Sequence, residues 1–138
     1  MERIPEPMSP GSKSVMLTPE HLYVVICTDA FVAEDAVDVV RAFDPKATIE
    51  ALATEAEAVS LIRARDRVTA AIAIGPRKFP AIMAVGEALV AHDAPLLALV
   101  SSTTLDLTQM PCRVHVGDLP FTNETIIEML KLVHREER

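Results

Sequence analysis

The chain has 138 residues, half of them apolar and 4% aromatic, with 13 basic against 20 acidic side chains and a net charge of −7. That length holds one domain with a real core, and the core must be packed from Ala, Val, Leu and Ile. An acidic chain with a pI near 5.0 lacks the basic stripe that phosphate-backbone recognition requires, which argues against nucleic acid as a direct partner. No run reaches the ~18 apolar residues of a membrane span, and the start has no signal-peptide core, so the default expectation is cytoplasmic.

Residues 1–18 (MERIPEPMSPGSKSVMLT) are rich in Pro, Ser and charge and are expected to form a disordered tail ahead of one domain over 19–138. His21 to Thr28 is a continuous apolar run, as in a strand covered on both faces. Phe31 to Phe43 follows as a helix with Val32, Ala36, Val39, Val40 and Phe43 on one side, stopped by Asp44-Pro45. Thr48 to Ala53 is a short second strand. Thr54-Glu55-Ala56-Glu57 has the capping-box form and opens a helix with Val59, Leu61 and Ile62 on its apolar face. Val68 to Ile74 is a third buried strand, closed by Gly75-Pro76. Pro80 to His92 reads as a helix through Ile82, Val85 and Leu89, with Gly86 a mild weakness. Pro95 to Val100 and Cys112 to Val116 are the fourth and fifth strands. Thr122 then N-caps a last helix, with Phe121 and Ile126 placed as a hydrophobic staple and Ile126, Ile127, Met129, Leu130 and Val133 on its apolar face.

Strands alternating with helices imply parallel βαβ units. Five strands predict a three-layer α/β domain with the doubly wound order 2-1-3-4-5, whose crevice lies beyond the carboxyl ends of the strands. The link from Ser101 to Pro111 has room for about two helical turns at most, so the fourth helix is expected to be short or missing. The two cysteines, Cys27 and Cys112, would lie three inter-strand spacings apart, about 14 Å. A bridge needs Cα atoms within about 7 Å, so no disulfide is expected.

The closing stretch, VHVGDLPFTNETIIEMLKLV, resembles the last strand and helix of a response-regulator receiver domain, where Lys-Pro-Phe-Thr opens the final helix. Pro120-Phe121-Thr122 is present, but Leu119 stands at the lysine position. The resemblance runs from about Leu22 to His134. The acidic pair after the first strand falls on Thr28-Asp29, leaving one carboxylate. The phospho-accepting aspartate, four residues before a proline, falls on Ile72, and Ala73, Ile74 and Gly75 are no better. The hydroxyl residue after the fourth strand falls on Val100, or on Ser101 with a one-residue slip. The aromatic of the fifth strand falls near Val116. Removing only the acid would strand a buried lysine, at a cost of about 3–5 kcal/mol, whereas apolar replacement of both partners can be neutral. Ile72 and Leu119 fit that double replacement. Asp29 reads first as an N-cap and second as a vestigial metal ligand.

The resemblance therefore implies a degenerate receiver, or pseudo-receiver: a phosphorylation-independent module of a two-component phosphorelay. It would be stand-alone or a piece of a longer regulator, and would act by binding a histidine kinase, another regulator or a second copy of itself. The short link could expose Leu105, Leu107 and Met110 as a partner surface, or fold them inward as packing. No cofactor, metal or catalytic activity is expected, and His21, His92, His115 and His134 read as scattered. The alternatives are a small-molecule binder on a flavodoxin-like fold, disfavoured by the glycine-free, acidic Thr28–Asp35 stretch, or a still-phosphorylatable atypical regulator.

Overall fold

The structure is a computed structural model and describes residues 21–100, 107–118 and 121–136. The expected N-terminal tail, Ser101, Leu105 and Leu119 lie outside the described residues. In chain order the elements are β1 (Leu22–Ile26), α1 (Ala30–Phe43), β2 (Thr48–Leu52), α2 (Glu55–Ala64), β3 (Ala70–Ile74), α3 (Phe79–Val90), β4 (Leu96–Val100), β5 (Val114–Asp118) and α4 (Asn123–Glu136). All five strands are parallel and form one sheet in the expected order 2-1-3-4-5.

The three central strands are buried at every position, which is why they read as unbroken apolar runs rather than as alternation. Successive side chains still point to opposite faces. Tyr23, Val25, Ile72, Ile74, Leu97 and Leu99 pack against α1 and α4. Leu22, Val24, Ile26, Ala71, Ala73 and Leu96 pack against α2 and α3. Helix starts are marked by side-chain caps. Thr54 and Glu57 form the expected capping box, and Thr122 accepts from the Thr125 N–H at 3.2 Å while Thr125 answers to the Thr122 N–H at 3.3 Å. Each such cap contributes on the order of 1 kcal/mol.

The link before β5 departs from the regular βα alternation. Among its described residues it holds one 3-10 turn, Leu107–Gln109, instead of an α-helix, in line with the short or missing fourth helix. β5 begins two residues later than expected, at Val114. Arg113 is held just ahead of it, its carbonyl accepting from the Leu96 N–H at 2.8 Å and its guanidinium reaching Asp93 at 3.0 Å. Leu107 and Met110 are half-buried against the α2/α3 core, the inward alternative of the two. Gly86 explains itself here: a Cβ on it would overlap the Met110 side chain, so its absence lets the link lie close on α3. The cost of the short link shows on β5, where Val116, on the same face as Val114, is 58% exposed.

Candidate functional site: the carboxyl end of the sheet

In a doubly wound sheet the strand-to-helix turns at the carboxyl ends are where ligands are held. Thr28 and Asp29 leave β1 there. The Asp29 carboxylate accepts from the N–H groups of Phe31 at 2.9 Å and Val32 at 3.2 Å, and so caps α1. Phe31 beside it is 82% exposed.

Ile72 is 1% exposed and sits mid-strand, opposite Val25 on β1 and Leu97 on β4. β3 runs two residues further. Ile26 pairs with Ala73, so the sheet places Ile74 and Gly75 level with Cys27 and Thr28. The residue at the crevice mouth is therefore Ile74, 2% exposed, with Ile72 one layer below on the same face. Both residues are apolar and buried. Gly75 then takes φ +92°, a left-handed conformation that favours glycine, while its N–H bonds the Leu99 carbonyl at 3.0 Å.

That turn delivers a residue that sequence reasoning missed. The Arg77 side chain is 4% exposed and folds inward across the strand ends, with Nη1 3.2 Å from Glu55 Oε1 and Nη2 donating to Thr28 Oγ1 at 2.9 Å. Its Nε is buried without a partner. One guanidinium thus ties β1, the first residue of α2 and the β3–α3 turn together. Topology alone aims the Gly75-Pro76-Arg77 turn and the start of α2 at the same crevice, and that was the available signal. Spacing does not say that the arginine turns inward.

The resemblance to receivers implies Mg²⁺ at this end. Mg²⁺ demands octahedral oxygen ligation, usually by carboxylates. Of the carboxylates described above, Asp29 is engaged by helix N–H groups and Glu55 by Arg77, β3 supplies none, and a fixed cation among the strand ends opposes a second one. The residues do not fit that ion. Two grooves flank α1: one of about 580 Å³ between α1 and α4, lined by Val32, Val39, Asp35 and Asp38, and one of about 500 Å³ that reaches the carboxyl ends of β1 and β2 at Cys27, Thr28 and Leu52 and is lined with Glu34, Asp38 and Arg41 of α1.

The cysteines are free. Burial pushes the Cys112 thiol above its ordinary pKa, which leaves little thiolate for nucleophilic work. The histidines are not all scattered. His21, just before β1, and His134, in the last turn of α4, come together with Asp44 at the opposite, amino end of the sheet.

This order of strands and helices is the fold of response-regulator receiver (CheY-like) domains. A receiver domain protein from Methanospirillum hungatei is similar with a TM-score of 0.70 at 10% identity, over 86% of this chain and 98% of that one. The chemotaxis response regulator CheY4 of Vibrio cholerae gives 0.62 at 16% identity, over 83% and 99%. A putative pilus assembly-related protein from Burkholderia pseudomallei gives 0.70 at 13%, over 89% and 96%. At these identities the likeness is one of fold. No protein-family model matches the chain, and no curated protein matches it.

Proposed function

We propose that this chain is a pseudo-receiver: a cytoplasmic signalling module of two-component type that works by binding another protein, without phosphorylation and without catalysis of its own. The observation that carries the reading is the filling of the crevice. β3 ends in buried Ile72 and Ile74, and Arg77 lies over the strand ends, bonded to Thr28 and Glu55. An acid in a receiver must be reachable by a phosphoryl donor and a divalent ion; buried Ile72 and Ile74 and the Arg77–Glu55 pair support the reading that β3 offers none here.

What remains for signalling is surface. Val116 is an exposed apolar side chain on a strand whose flanking link holds a single 3-10 turn among its described residues. Exposed aliphatic surface on an edge strand suits a protein partner, here a histidine kinase, another regulator or a second copy. The test is capture of partners from lysate of the source cells by the immobilised chain, with and without acetyl phosphate. The reading expects a kinase or regulator bound equally under both conditions, and affinity reduced about tenfold or more by Val116→Lys. A partner bound only in the presence of the phosphoryl donor contradicts it.

A further inference from the structure

At the amino end of the sheet, three potential metal ligands meet from three elements that are far apart in sequence. His21 precedes β1, Asp44 follows α1 and His134 lies near the end of α4. We propose that His21 Nδ1, Asp44 and His134 Nε2 form a binding site for a divalent transition-metal ion of the Zn²⁺ class.

The ligand atoms all lie within 4.8 Å of one another. His21 Nδ1 is 2.6 Å from Asp44 Oδ2. The Tyr23 hydroxyl bridges the other pair, donating to Asp44 Oδ2 at 3.1 Å and standing 2.8 Å from His134 Nε2. The two imidazoles approach edge to face, with centroids 4.8 Å apart and planes at 65°, so their nitrogens converge without the rings stacking. A four-coordinate ion with ~2.0–2.1 Å bonds needs ligand atoms about 3.4 Å apart. The short His21–Asp44 contact must open by roughly 0.8 Å and the longest separation close by about 1.4 Å at most.

The backbones are already held. The Thr48 N–H bonds the His21 carbonyl at 2.8 Å, the Asp44 N–H bonds Val40 at 2.8 Å, and the Asp44 carbonyl accepts from Ala47 at 3.0 Å. His134 rides on α4 next to buried Val133. The side chains of His21 and Asp44 are 25% and 19% exposed, shielded enough to favour binding and open enough for an ion to enter. Two imidazoles and one carboxylate select a Zn²⁺-like ion over Mg²⁺ or Ca²⁺, which prefer all-oxygen shells. Tyr23, fully buried at the ring, is placed to hold Asp44 from the outer shell. Binding requires each ligating nitrogen to present its lone pair, so each ring keeps its proton on the other nitrogen, and any proton on the ligating one leaves to solvent. Nothing is oxidised or reduced. The bound ion would fasten the last helix to β1 and α1.

The test uses the untagged, chelator-stripped full chain titrated with Co²⁺, then Zn²⁺. The proposal expects one Co²⁺ per chain with the intense visible absorption of a four-coordinate site, displaced by Zn²⁺. Saturating Zn²⁺ should raise the unfolding midpoint by about 4 °C or more, and imidazole NMR resonances of His21 and His134 should shift while those of His92 do not. Asp44→Asn, close to isosteric, and His134→Gln should each weaken binding at least about tenfold, with His21→Gln as a third variant should either fail to fold. His115→Gln should bind as the parent does. Absence of stoichiometric Co²⁺ or Zn²⁺ binding at micromolar concentration, or equal binding by parent and variants, overturns the site and leaves a plain hydrogen-bonded cluster.

Discussion

Arg77 at one end of the sheet and the His21–Tyr23–Asp44–His134 group at the other are both polar clusters, yet they are built differently. The Arg77 side chain is nearly sealed, at 4% exposure, with its charge answered by Glu55 and its Nε left without a partner. The amino-end group is more open, its His21 and Asp44 side chains partly exposed beside buried Tyr23, and its members bond one another at 2.6–3.1 Å. The central strands are buried throughout, so polar chemistry can sit only at their ends. In this fold ligands are ordinarily held at the carboxyl end. Here that end holds buried Ile72 and Ile74 beside the Arg77–Glu55 pair, while the opposite end holds the His21–Asp44 contact.

The sharpest way to break this contrast is Ile72→Asp. If the position were a crevice wall, a carboxylate there would be tolerated. Buried at 1% exposure, it should instead cost more than about 4 kcal/mol and leave little folded protein by circular dichroism. Arg77→Met comes next. It strands Glu55, which is 16% exposed, and urea unfolding should show a loss of about 2–4 kcal/mol, part of which the double variant with Glu55→Gln restores. Full restoration would mean the pair adds only solvation cost; no loss at all would mean that Arg77 is not tucked in. At the amino end, Tyr23→Phe keeps the packing and removes the hydroxyl shared by Asp44 and His134, with an expected loss of about 1–2 kcal/mol. The smallest effect separates the two roles of Asp29. Asp29→Ala should cost about 1 kcal/mol and Asp29→Asn close to nothing, because Asn caps a helix as well as Asp does, whereas a metal ligand would not tolerate the amide.

Much of the fold was legible because its signals are local. Continuous apolar runs marked β1, β3 and β4, the Thr54–Glu57 pair marked the start of α2, and the eleven residues Ser101 to Pro111 left too little chain for a full helix. β5 was misplaced by two residues because Cys112 and Arg113 look like strand, whereas Arg113 is held by bonds to Leu96 and Asp93 ahead of it. The sequence marked Ile72 as a buried strand residue, and the register adds that Ile74, not Ile72, lies nearest the carboxyl end of β3. Arg77 was missed since a charged residue in a turn is ordinarily solvated, and nothing local says that this one is buried. His21, Asp44 and His134 were missed for a different reason. They are 23 and 90 residues apart along the chain, and only the topology, which brings the start of β1 and the ends of α1 and α4 to one edge, assembles them.

The most direct test of a chemically silent crevice is the intact mass of the chain after incubation with acetyl phosphate and Mg²⁺, with peptide mapping of any product. The account predicts an unmodified mass under conditions that fully modify a competent receiver run in parallel. A stoichiometric phosphoryl adduct mapped to a carboxylate at the carboxyl end of the sheet would contradict it.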